Sequence, residues 1–201
     1  MLEQLASNIG INNDEPNIKL AEKITKKGSP KEIAELINAI AEGKARIQSD
    51  CIKVLYEIGY RKPELLYNYT NDFIDYLKSK NNRLVWGASI ALSTIAKEKA
   101  DICFTRLSEI IKAYECGSVI TIDNCISIFA GIGSNIKYKV QILPILISHF
   151  KKCRIKDIPQ HIERVNEKII VKNESELIKL IRSRILEANE SQKKRIYKVI
   201  D

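Results

Sequence analysis

Glycine and proline are scarce in this chain, at 8 and 5 of 201 residues. So few breakers disfavour a protein of strands and tight turns and favour long helices with short links. Histidine occurs twice and tryptophan once. There is no CxxC pair, no GxxxxGK[ST], no GxGxxG after a strand and no paired-carboxylate motif, so phosphate-loop, dinucleotide and two-carboxylate chemistry have no local signature. Met1 to Asn13 lacks a basic start followed by a continuous apolar run, which gives no expectation of a signal peptide. The longest weakly charged stretch, Cys116 to Ile136, is interrupted by Asp123 and Asn124 and would make a poor membrane span. Five cysteines without a pairing pattern are expected to stay reduced, as in a cytoplasmic protein.

What is present is ordinary for a globular chain: 45% apolar and 29% charged residues, enough for one domain or one short repeat array. The net charge is +8, and it is concentrated at the end. From Lys151 to Asp201 there are 14 Lys and Arg against 8 Asp and Glu. A basic end can attract nucleic acid or an acidic partner, although these cations alternate with carboxylates as they do on a solvated helical face.

The dominant signal is a repeat of 37 residues. Arg46–Gly59, Arg83–Ala96, Ile120–Gly133 and Asp157–Ile170 align without insertion. Their apolar columns are Ile47, Leu84, Thr121, Ile158; Cys51, Ala88, Cys125, Ile162; Val54, Ala91, Ile128, Val165; Leu55, Leu92, Phe129, Asn166; and Ile58, Ile95, Ile132, Ile169. Within each copy the columns fall at i, i+4, i+7, i+8 and i+11, one stripe of a helix. An earlier helix in each unit carries Leu36, Phe73, Ile110, Ile147 at the same step, beside Ile37, Ile74, Ile111, Ser148. Each unit is therefore expected to be a helical hairpin, an A helix followed by a B helix, that buries its apolar face only by stacking on its neighbours. Cys103, aligned with Leu66 and Val140, is expected in the same core.

Punctuation supports hairpins at about 30–60, 63–97, 100–133 and 137–170. Ser29-Pro30-Lys31-Glu32 reads as an N-cap, a first-turn proline and a capping-box Glu. Gly59 and Gly133 are expected as left-handed helix ends, Lys62-Pro63 as the next helix start, and Asn173 with Glu176 as the cap of a helix from Glu174 to Glu187. That helix, a last one from Ser191 to Ile200, and one from Asp14 to Lys27 fall off the register, as terminal caps do. The reading is an all-α, right-handed α-solenoid forming a single domain over 1–201. It has an N-terminal capping helix at 14–29, four 37-residue repeats at 30–172 and basic capping helices at 173–201.

These columns resemble HEAT repeats. Asn82-Arg83-Leu84-Val85, continuing through Ala88, Ala91, Leu92, Ile95 and Ala96, is similar to the family's B helix. Val140 to Ile147, with Pro144 inside, is similar to its A helix. The likeness covers Pro30 to Val171, with the fourth copy departing most through Pro159 inside its B helix and Asn166 in a Leu column. It implies a solenoid with B helices on the concave side and leaves activity open, since such arrays serve as scaffolds, transport factors, lyases and DNA-repair enzymes.

The face opposite the B-helix stripe carries Ser49, Trp86, Asp123, Gln160; Lys53, Ile90, Ser127, Arg164; and Tyr56, Ser93, Ala130, Glu167. Trp86 stands where other units have short polar residues. With Ile90 one turn on, and Lys53, Tyr56 and Tyr60 on the adjacent unit, it reads either as a partner anchor in a groove or as a ring packed by its own chain. The candidate partner-binding set is Lys53, Tyr56, Tyr60, Trp86, Ile90, Asp123, Ser127 and Arg164, for a protein or peptide held without catalysis and without a cofactor. The competing reading is nucleic-acid binding, or an alkylpurine DNA glycosylase of HEAT-like type, with Trp86 stacking on a base. A tetrapyrrole-protein lyase is a third. His149 and Cys153, spaced i, i+4, with His161 on the next helix, are an incomplete metal set split over two helices, and no metal is expected there. The same residues lack an evident third group to orient a Cys–His nucleophile.

Overall fold

The computed structural model describes residues 1–171 and 174–201, and among them there are helices and no strands. The chain runs α1 (Glu15–Lys27), α2 (Pro30–Glu42), α3 (Ala45–Arg61), a 3-10 segment (Pro63–Tyr69), α4 (Thr70–Tyr76), α5 (Asn82–Ile95), α6 (Ala100–Thr105), α7 (Leu107–Cys116), α8 (Val119–Gly133) and α9 (Ile136–Lys152). It ends with α10 (Ile158–Asn166), α11 (Ser175–Arg184) and α12 (Glu190–Ile200). The four expected hairpins are present. The A segments of the second and third units are each broken into two pieces, so these units have three helical parts where the first and fourth have two. Both patterns occur among HEAT and armadillo repeats.

The helices form two layers. One runs α1, α3, α5, α8, α10, α12, each packed on the next; the other contains α2, α4, α6, α7, α9 and α11. The end helices fall off the sequence register but join these same layers. Their apolar residues are spaced differently, Leu20, Ala21 and Ile24 in α1 and Ile196 and Ile200 in α12, yet all are buried against the array. The N-terminal segment is tied on by polar contacts. Asn17, fully buried, accepts from the Ala6 amide at 3.0 Å and donates to Asp50 at 2.9 Å, and Asp50 accepts from the Ser7 amide at 2.7 Å.

The columns through Cys51, Val54, Leu55 and Ile58 and their equivalents in units two and three are all fully buried. The fourth unit departs for identifiable reasons. Val140 does not join Cys103 and Leu66 in the core; it is 79% exposed. α9 is a single unbroken helix capped by Asn135, whose side chain accepts from the Lys137 amide, and its buried stripe is Tyr138, Ile142, Leu146 and Phe150 at strict i+4 spacing. Ser148 is exposed for the same reason. Pro159 lies in the first turn of α10, not inside it, where its missing N–H costs no helix bond. Asn166 is exposed and caps the chain beyond, its Oδ1 accepting from the Val171 amide at 3.0 Å.

Two punctuation readings are also corrected. Gly59 and Gly133 are not left-handed caps; positive φ occurs at Gly10 and Gly28 alone among the described residues. Both are helical and serve close approach. A Cβ at 59 would stand 2.6 Å from Thr94 Oγ1, and one at 133 would stand 2.8 Å from Ile142 Cγ2. Ser29 makes no side-chain capping bond, and the Glu32 carboxylate, which would complete a capping box, pairs with Lys27 at 3.3 Å. The capping box belongs to α12, where Asn189 and Gln192 bond reciprocally. The Asn173 cap lies outside the described residues. No helix among the described residues is long and apolar enough to cross a membrane.

Candidate functional site

Trp86 sits one turn into α5, and its ring is half-buried. It forms a wall between two hollows. On one side, α3 contributes Lys53 and Tyr56, α5 contributes Trp86 and Ile90, and Ile120 closes a space of about 270 Å³. On the other lies a space of about 820 Å³ between the A-to-B turns of units two and three, lined by Leu77, Val85, Lys112, Ala113 and Thr121 among others. Among the described residues Trp86 has no aromatic or cation partner and its indole N–H no hydrogen bond. The ring is thus left partly in water, with neither full packing nor a partner for its N–H.

Its neighbours are less free. Lys53 Nζ bonds Glu57 at 2.9 Å, lies 3.7 Å from Asp14, and sits 4.6 Å over the Tyr56 ring. Tyr56 meets Tyr60 edge-on at 5.9 Å. Tyr60, 61% exposed, belongs to a separate hollow of about 320 Å³ with Ser127 and Arg164, where Arg164 Nη1 donates to Ser127 Oγ at 3.1 Å. The structure thus divides the candidate set. Lys53, Tyr56, Trp86 and Ile90 share one hollow, while Tyr60, Ser127 and Arg164 share another. Ser127 and Ala130 are buried, so the expected solvent face does not hold on α8, which is enclosed by α5, α9 and α10.

Asp123 belongs to neither hollow. Its two oxygens accept from Gln160 Nε2 and bind His161 Nε2, both at 2.8 Å. His161 Nδ1 lies 2.9 Å from His149 Nε2, and His149 Nδ1 lies 2.9 Å from the Tyr114 hydroxyl. Burial, and then the neighbouring His161, push the His149 imidazole down to about 4, so it is neutral at pH 7. The sequence reading left these groups apart because they lie on different helices. The orienting residues it lacked, Tyr114 and Asp123, come from two further helices. The signal was present only as Tyr114 and Asp123 each lying close to one 37-residue step before a histidine.

The cysteines sort by burial. Cys51, Cys103 and Cys125 are fully buried, which pushes each thiol up to about 12. Cys116 is exposed, and Cys153 is half-buried and pushed up to about 11, mainly by burial.

No family model matches the chain, and no curated protein matches its sequence. Solved structures do match. A designed armadillo repeat protein in complex with a (KR)4 peptide is 14% identical, with 92% of each chain covered and a TM-score of 0.62. A second designed armadillo repeat protein is 15% identical over 100% of this chain and 98% of its own, with a TM-score of 0.64. This chain has an armadillo-like fold. An engineered protein, 16% identical over 99% of this chain and 96% of its own, has a TM-score of 0.63. At such identities the likeness carries the fold of the armadillo-like array and leaves its surface chemistry to be read from its own residues.

Proposed function

We propose that the armadillo-like array is a non-catalytic scaffold that holds an extended peptide or protein segment along its B-helix face, with Trp86 as the anchor. The observation that carries this is the half-buried, unpartnered Trp86 ring between two hollows. A peptide side chain entering either hollow would remove apolar surface from water on the ring. That one solved armadillo-like structure holds a peptide supports the reading at the level of the fold.

A peptide as basic as (KR)4 suits this chain poorly. Its net charge is +8, and Arg83, Lys112, Arg164 and Lys168 line the hollows without an ion pair among the described residues. Of the carboxylates there, Asp14 pairs with Lys53, Glu109 with Lys78 and Arg106, and Asp50 accepts from Ser7 and Asn17, leaving Glu167. The chemistry favours a segment with an aromatic or branched apolar side chain flanked by carboxylates. The nucleic-acid alternative draws less support, because most arginines of the basic C-terminal quarter are engaged within the fold. Arg154 pairs with Asp157, Arg182 with Asp201 and Arg195 with Glu163, and Arg184 donates to three backbone carbonyls.

Because Trp86 is the only tryptophan, its emission reads the site directly. Acidic peptides bearing one apolar residue, selected from a displayed library, should shift that emission on titration. They should bind at least tenfold more weakly to Trp86→Ala, as truncated hot spots do. Selected peptides that leave the emission and the affinity unchanged would place the binding surface elsewhere.

A further inference from the structure

His149, Cys153 and His161 converge at the end of α9 and the start of α10. One ligand atom from each lies within 4.8 Å of the others. The imidazoles are almost wholly buried, at 5% and 3% exposure, and they present ring nitrogens to each other at 2.9 Å. The far nitrogen of each ring is held by an oxygen, Tyr114 Oη on His149 and Asp123 Oδ1 on His161. Such anchoring of the outer nitrogen is how metal-binding histidines are oriented, because it fixes the ring and its tautomer.

We infer that His149 Nε2, His161 Nδ1 and Cys153 Sγ form a three-ligand site for a divalent transition metal of the zinc class, open on its fourth side. A hydrogen-bonded chain from Tyr114 to Asp123 satisfies the imidazoles without a metal, but it has no use for the sulfur that faces them. The donor set of two nitrogens and one sulfur suits zinc and excludes magnesium and calcium, which take oxygen. Tetrahedral zinc wants its nitrogens about 3.3 Å apart, given Zn–N bonds near 2.0–2.1 Å. The rings therefore need to part by a few tenths of an ångström and tilt toward a common point. The Cys153 sulfur, up to 4.8 Å from a ring nitrogen, needs to close by roughly 1 Å to reach the N···S spacing of about 3.5 Å that a Zn–S bond near 2.3 Å sets. Cys153 closes α9, where the negative end of the helix dipole favours a cation. The fourth side faces a hollow of about 270 Å³ lined by Val119, Ile122 and Asp157, room for a water or an anionic ligand.

Binding is balanced by one proton. The Cys153 thiol loses its proton to solvent and becomes the thiolate ligand. His161 keeps Nε2–H on Asp123 and coordinates through Nδ1. His149 stays neutral by moving its proton from Nε2, where it is donated to His161 Nδ1 in the metal-free chain, to Nδ1, where it is donated to Tyr114 Oη as that hydroxyl turns from donor to acceptor, so that Nε2 is free.

The test uses the full chain with Cys116→Ser, which removes the exposed thiol, dialysed free of metal and then titrated with zinc sulfate and cobalt chloride. The folded protein should take up one equivalent of zinc. With cobalt it should show thiolate-to-metal charge-transfer absorption in the near ultraviolet together with the visible bands of tetrahedral cobalt. Cys153→Ser, a change of similar size at a half-buried position, should abolish the charge-transfer band while leaving the circular dichroism unchanged. Asp123→Asn should weaken uptake 10- to 100-fold, as the loss of such outer partners does. Failure of the folded protein to bind an equivalent overturns the site, and so does a charge-transfer band that survives Cys153→Ser.

Discussion

Ile52 on α3 lies directly against the bare backbone of Gly87 on α5: a Cβ at residue 87 would stand 2.6 Å from Ile52 Cγ1 and 2.8 Å from its Cγ2. Alanine in a helix is favoured over glycine by about 1 kcal/mol, but overpacking a close contact costs about 1–3 kcal/mol. The atoms struck sit at the branch point of Ile52 and cannot swing aside. Gly87→Ala should therefore destabilise the protein by up to about 2 kcal/mol in urea melts. In an Ile52→Ala background the same change should be neutral or stabilising. Equal costs in the two backgrounds would show that the contact does not govern residue 87.

Ile95 is fully buried in the column shared by Ile58 and Ile132. Its replacement by alanine should cost about 2–5 kcal/mol, the range for removing a large aliphatic side chain from a packed interior. A cost under about 0.5 kcal/mol would contradict its place in the core.

Thiol labelling should separate the cysteines. Cys116 should react with a disulfide reagent at once, and Cys153 slowly. Cys51, Cys103 and Cys125 should react only as fast as the chain unfolds, being fully buried with thiols held up to about 12. Rapid reaction of more than two thiols in the native protein would disprove the burial pattern.

Arg106 joins the A segments of units two and three, reaching Asp75 at 2.5 Å, Glu109 at 2.6 Å and the Asn71 carbonyl at 3.1 Å. Arg106 and then Lys78 pull the Glu109 carboxyl down to about 2. A lowered carboxylate contributes stability above its ordinary value near 4.5 and loses it as pH falls toward 2. The groups are partly exposed, so the effect should stay below about 1 kcal/mol. The stability gap between the wild type and Glu109→Gln should be visible at pH 7 and narrower at pH 3 or in 1 M salt. A gap that widens in acid would reverse the assignment.

The 37-residue columns made the layered architecture legible because burial on a helix has a period, and four copies repeat it. The exceptions lie where a local break changes the phase. Val140 and Ser148 leave the core because α9 runs unbroken from Asn135, whereas the equivalent segments of units two and three are split. Gly59 and Gly133 were misread because glycine at a helix end and glycine at a helix crossing look alike in one dimension. Trp86 was legible as an odd residue in a polar column. The grouping of Tyr114, His149, His161 and Asp123 was not, because four helices supply them and no local spacing announces it.

The junction between α8 and α10 is bridged by side-chain bonds one repeat apart, Asp123 to Gln160 and Ser127 to Arg164. The junction between α3 and α5 has such bonds only at one end, where Asn81 Nδ2 donates to the Ala45 carbonyl, Gln48 Oε1 and Ser49 Oγ; further along it is closed by apolar contact such as Ile52 on Gly87. These two kinds of closure respond differently to temperature, because apolar association weakens on cooling while hydrogen bonds do not share that dependence. Near freezing, the first units should loosen before the last. Amide exchange in the cold should then rise along α3 and α5 relative to α10, giving the array a grip that varies from one end to the other.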